Sequence, residues 1–134
     1  YLTLAAERGL FALFHCDQEE NATPERLARL AARHPRVNFI AGHMGLWGAQ
    51  ARCLKEIREA RAQNLYGDLA WFHRWDLLAA ELEAGRTERF VFGSDAPVDG
   101  EESYQQYLWV LWRMGAGDGL LKRLFADNPA RLIT

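Results

Sequence analysis

Two histidines and two aspartates draw attention because each closes a short apolar run. Leu10-Phe11-Ala12-Leu13-Phe14 leads to His15, and Val37-Asn38-Phe39-Ile40-Ala41-Gly42 leads to His43. A weaker run, Leu65-Tyr66-Gly67, ends at Asp68, and Phe90-Val91-Phe92-Gly93-Ser94 ends at Asp95. Imidazoles and carboxylates are the donors that a borderline divalent ion such as Zn²⁺ takes. They are also the side chains that move protons near neutral pH. A single histidine at a strand end is usually a satisfied polar residue, and an aspartate there is often a helix cap. Three or four such residues in one repeating register point instead to a shared site.

The register comes from the elements between them. His15, His43, Asp68 and Asp95 fall 28, 25 and 27 residues apart, the length of a strand, a helix and two connections. Thr23-Pro24-Glu25 reads as a helix start with a capping hydroxyl, and that helix should stop near His34-Pro35. His34, in its last turn, reads as structural. Further helices are expected over 49–62, 75–84 (closed by Gly85), 104–114 and 120–125, with another opening at Asn128-Pro129 and one ending at Gly9. On the fourth of these, Tyr104, Tyr107, Leu108, Leu111 and Trp112 recur at helical spacing and should pack on the core.

Strands separated by helices of this length pair in parallel. Apolar character on both strand faces means helices cover the sheet. A closed (β/α)8 barrel and an open doubly wound sheet both satisfy this. The chain has no G-x-G-x-x-G and no P-loop, so nucleotide-phosphate binding loses ground. In a barrel, all strand C-termini open on one face, which is where active sites are built.

The whole chain sets limits on function. Its 134 residues, 49% hydrophobic and 25% charged, describe one globular unit that is short for a complete barrel. The net charge of −2 is spread along the chain, which argues against nucleic acid. No apolar run approaches the ~18 residues of a membrane span. Cys16 and Cys53 lie in different expected elements, so free thiols and a reducing, cytoplasmic setting are expected. Tyr1 opens the sequence and the methionines are Met44 and Met114, so a fragment, a processed product or a partial record is expected.

Phe14-His15-Cys16, Ala41-Gly42-His43-Met44-Gly45 and Phe92-Gly93-Ser94-Asp95-Ala96-Pro97 resemble the strand 5, strand 6 and strand 8 motifs of the amidohydrolase superfamily. The resemblance is to its amidohydrolase-related branch, which holds metal-dependent hydrolases and non-oxidative decarboxylases of the aminocarboxymuconate-semialdehyde type. Asp127-Asn128-Pro129-Ala130-Arg131-Leu132 resembles a stretch near the family's C-terminus. The resemblance covers nearly the whole chain. It implies that residues 1–134 form one partial domain, the C-terminal half of a (β/α)8 barrel with strands 5 to 8, whose strands 1 to 4 are absent. By the same resemblance, His15 and Asp95 are metal ligands, and Asp95 also touches the metal's water. His43 stands beside that water as acid or base, and in binuclear members takes a second metal. The implied ion is divalent, Zn²⁺ first, with Mn²⁺ or Fe²⁺ as alternatives.

One departure is plain. The family opens its metal site with His-x-His or a carboxylate variant, and this chain contains no His-x-His. One His and one Asp are fewer than the three protein ligands usual for catalytic zinc. The chain alone is expected to hold metal weakly or not at all, and to need a partner half-barrel. Apolar surface left uncovered could also drive self-association into a homo-oligomer.

Asp68 is expected to orient a loop. Trp71, Phe72, His73, Arg74 and Trp75 follow it, and either pack or line a pocket in which His73 and Arg74 meet substrate, Arg74 forking onto a carboxylate. The expected reaction is hydrolysis of a small-molecule amide, ester or lactone. Decarboxylation of an aromatic or enolic acid, and a non-catalytic half-barrel, are the alternatives.

Overall fold

The computed structural model describes residues 1–59, 62–98 and 100–133, and for 100–104 the backbone alone. The side chain of Tyr104 and the expected helical end at 60 and 61 therefore lie outside the described residues.

Helices and strands alternate as far as α5: α1 (Leu2–Arg8), β1 (Ala12–His15), α2 (Pro24–Arg33), β2 (Phe39–Gly42), α3 (Gln50–Glu59), β3 (Leu65–Asp68), α4 (Trp75–Glu83), β4 (Phe90–Val91) and α5 (Gly100–Arg113), after which come α6 (Asp118–Lys122) and α7 (Asn128–Ala130). The four strands form one sheet in sequence order, all parallel. This is an α/β fold.

Alternation along the strands splits the core in two. Phe39, Ala41, Leu65 and Phe90 face the helices and join Leu27, Ala31, Leu54, Ile57 and Leu78 in the main cluster. Ile40, Tyr66 and Val91 face the other side and form a smaller cluster with Leu132. Gly67 on β3 leaves no room for a side chain: a Cβ there would lie 2.9 Å from side-chain carbons of both Ile57 and Met44. Cys16 and Cys53 are buried free thiols whose side chains touch, a contact that together with burial pushes the Cys53 thiol up.

Asparagines tie the strand beginnings together. Asn64 Nδ2 donates to the carbonyls of Ala31, His34 and Val37 at 3.1, 3.0 and 2.6 Å. Asn128 Nδ2 donates to those of Thr87 and Phe90, both at 2.7 Å, and Asn38 reaches Arg131 O at 3.1 Å. The last residues thereby pass under the sheet and insert Leu132 on its inner face.

Several expectations are corrected by the structure. β4 holds two residues rather than five, because the chain leaves the sheet after Val91. Thr23 does occupy the N-cap of α2 with proline next to it, but its hydroxyl makes no capping bond. On α5, Tyr107 and Leu111 are buried, whereas Trp112 is 66% exposed and adds nothing to the core. His34 caps α2 at its C-terminal end, with its N–H bonded to Ala31 O.

Candidate active site

The C-terminal ends of the strands bring the four polar residues to one rim. His15 pairs in register with Gly42. Gly42 is required there, since a Cβ would sit 2.9 Å from Phe14 O. The chain then turns sharply through two non-glycine residues in the left-handed region, His43 at φ 61° and Met44 at φ 46°. Met44 is fully buried and anchors the turn. Beyond β4, Asp95 adopts φ 58°. Such conformations cost on the order of 1–3 kcal/mol each and concentrate where function holds them.

The imidazoles of His15 and His43 meet edge to face, ring centroids 5.1 Å apart at 69°. Asp68 Oδ1 accepts two backbone N–H groups, from His43 at 2.9 Å and Ala70 at 3.0 Å. The loop-orienting role expected of Asp68 thus takes a concrete form, with His43 as the residue oriented. A cavity of about 370 Å³ opens on the inner face of the sheet. His15, His43, Asp68 and Asp95 all line it, with Leu13, Ile40 and Phe92 on its sides and Pro129 and Leu132 below. A larger recess of about 450 Å³ lies between Phe14 and the arginines of α2, and of the four polar residues it contains only His15. The chemistry therefore belongs to the smaller cavity.

Partners set the charge states. His15 Nε2 lies 2.8 Å from Asp17 Oδ2, and Asp17 Oδ1 accepts the N–H of Glu19 at 2.7 Å. Burial pushes the Asp17 carboxyl up, but the Glu19 N–H and the His15 ring outweigh it and hold it below the ordinary range. Asp68 goes the other way. Its burial raises it above the ordinary range against the pull of two N–H donors, and the Asp95 carboxylate adds to the rise. His43 Nδ1 is buried and, among the described residues, meets no hydrogen-bond partner.

Leaving that nitrogen unpaired costs about 1–3 kcal/mol of desolvation. The nitrogen does not make a metal site. Among the described residues, no three His, Cys, Asp or Glu side chains are grouped so as to hold an ion. His15 Nε2 is engaged by Asp17. The donors among the described residues do not by themselves fit a divalent metal.

His73 and Arg74, expected near substrate, separate. His73 packs against Trp71 and Trp47 at ring distances of 6.2 and 6.4 Å. Arg74 forks instead onto Asp76, at 2.8 and 2.6 Å, in an exposed pair away from the cavity. A flexible surface guanidinium finds the nearest carboxylate, and here that lies two residues on. Asp17, Trp47 and Gln50 were missed by sequence reasoning. Asp17 carried a visible signal, two positions after His15. Gln50 carried none: its amide donates to Trp71 O at 2.9 Å while its oxygen accepts the N–H of His73 at 3.2 Å.

Comparison with known proteins places the chain in a family. The Amidohydrolase family model matches residues 1–133. The chain belongs to the amidohydrolase family. A solved structure, amidohydrolase 2 from Bifidobacterium longum subsp. infantis, superposes on it with a TM-score of 0.69 at 19% identity, covering 98% of this chain. Only 52% of that protein is covered, so the amidohydrolase chain described here spans about half its length. No curated protein matches. Among the described residues no helix is long and apolar enough to cross a membrane.

Proposed function

We propose that this chain is the C-terminal half of a (β/α)8 barrel and supplies half the active site of a metal-dependent hydrolase acting on a small-molecule amide, ester or lactone. The carrying observation is the single cavity lined by His15, His43 and Asp95 at the C-terminal rim of a parallel sheet. Family membership supports the hydrolase class. The likeness to half of a longer amidohydrolase supports a second half that completes the barrel and the ligand set.

The residues present have complementary tasks. The His43 imidazole accepts a proton from an attacking water and returns it to the leaving group. Asp95 accepts a hydrogen bond from the same water and aims it. Asp68 holds the His43 backbone through its N–H. Asp17 fixes the tilt of the His15 ring. The divalent ion, Zn²⁺ before Mn²⁺ or Fe²⁺, needs donors from outside this chain.

Hydrolysis is preferred to decarboxylation because membership of the amidohydrolase family supports the hydrolase class. The test is hydrolysis of a lactone and an aryl ester by the intact protein that contains this chain. His43→Ala and Asp95→Asn should each lower kcat/KM by about 10²-fold or more, the usual weight of a general acid–base group. Rates unchanged in both variants would overturn the reading, and carbon dioxide release from a hydroxybenzoate would replace it with decarboxylation.

A further inference from the structure

Two thiols lie behind the rim and take no part in the proposed hydrolysis. Cys16 follows His15 at the end of β1, and Cys53 sits within α3. Both are free and fully buried, and a hydrogen bond joins their side chains.

The pair also backs the turn that begins at His43. Cys16 O accepts the N–H of Leu46 at 2.8 Å, and a Cβ at Gly45 would lie 3.0 Å from Cys53 Cβ. The two sulfurs thus bridge three pieces of the site: the strand that ends in His15, the turn after His43, and the helix behind both.

A solitary buried cysteine is an ordinary core residue. Two in contact, from different elements, are one two-electron oxidation away from a covalent link. The hydrogen bond to Cys16 first, and burial second, push the Cys53 thiol up, so Cys53 keeps its proton and is the donor. That asymmetry sets an order of events. The Cys16 sulfur attacks an oxygen of a hydroperoxide, the O–O bond breaks, and an alcohol or water leaves as Cys16 becomes a sulfenic acid. The Cys53 sulfur then attacks the Cys16 sulfur, the S–O bond breaks, and the hydroxyl departs as water with the Cys53 proton. Two thiols and one hydroperoxide give a disulfide, an alcohol and water; the sulfurs lose two electrons and the peroxide gains them. Burial makes this slow, since the oxidant enters only when the rim opens, and keeps bulky thiol reagents out of the folded chain.

We propose that Cys16 and Cys53 form a reversible dithiol–disulfide couple, oxidised by hydroperoxide, whose closed form staples the end of β1 to α3 behind His15 and His43. The couple stands independently of the hydrolase reading.

Hydrogen peroxide is the probe, applied to the dilute folded chain at a dose that fully oxidises free glutathione. The product should weigh about 2 Da less, the two hydrogens lost on forming one disulfide, and dithiothreitol should restore it. A non-reducing digest should contain one peptide pair joined through Cys16 and Cys53. In Cys53→Ser the reaction should stop at a sulfenic acid on Cys16, trapped by dimedone. In Cys16→Ser, Cys53 should remain a thiol. The oxidised chain should unfold at higher urea than the reduced one, because the link encloses α2 and β2 and restricts the unfolded chain. The ring-proton signals of His15 and His43 should shift on oxidation and return on reduction. No mass change in the parent, or a bond between two chains instead of within one, overturns the couple. A lower urea midpoint after oxidation, or unmoved histidine signals, overturns the staple, and dimedone on Cys53 overturns the order of attack. Mass, digest and midpoint are read on the unaltered chain, so they decide the matter even if a variant fails to fold.

Discussion

Strand β2 is buried at every position, whereas its hydrogen-bonded neighbour β1 leaves Leu13, Phe14 and His15 exposed. The two differ little in sequence, both being short apolar runs ending in a histidine. They differ in what covers them. β2 has a strand on each side, and on one face the helices α2 and α3. β1 is an edge whose inner face looks into the open cavity, Leu13 being 58% exposed. An uncovered edge with large apolar residues is a surface built for pairing. The helix-covered side of this sheet is therefore a finished core, whereas its inner face stays open, as the half-barrel proposed above requires.

Four measurements sharpen or break that contrast, the largest effect first. Phe39, fully buried on the helix side, should cost about 3–5 kcal/mol when changed to alanine, read from urea unfolding. Asn64→Ala removes the donor that gathers three carbonyls and should cost about 1–3 kcal/mol by the same measurement. Leu13→Ala, on the open edge, should change stability by less than about 0.5 kcal/mol and reduce self-association in sedimentation. A loss comparable with that of Phe39→Ala would mean that the inner face is already closed in solution.

The fourth measurement concerns Asp68, where the two regions meet. Its carboxyl lies above the ordinary value of 3.8 in the folded chain, chiefly through burial. Between that value and its raised folded one, the native state binds more protons than the unfolded chain. Its contribution to stability therefore falls as pH rises through this window and stays reduced above it. Asp68→Asn keeps an oxygen for the two N–H donors, so stability followed from pH 3.8 upward should lose this decline. A decline that persists in the variant would move its origin to another group.

Much of the fold was legible because period and punctuation agree. Thr23-Pro24 starts α2, Gly9 ends α1, and three of the four apolar runs ended as strands within a residue or two of the expected place. The fourth run kept only Phe90 and Val91, because the segment up to Asp95 follows the rim rather than the ladder. In the site, spacing brought out His15, His43 and Asp95, since a (β/α) repeat converts constant spacing into one shared rim. Arg74 misled for the opposite reason: the direction of a long exposed side chain is set by local charge, here Asp76, and no periodicity reports it. Gln50 was invisible because a single amide clamping two backbone groups leaves no pattern along the chain.

One oxygen of Asp68 is shared between the N–H of His43 and that of Ala70. The first begins the turn that carries an imidazole, and the second immediately precedes Trp71. Any displacement of the aromatic turn therefore pulls on the same atom that holds the histidine backbone.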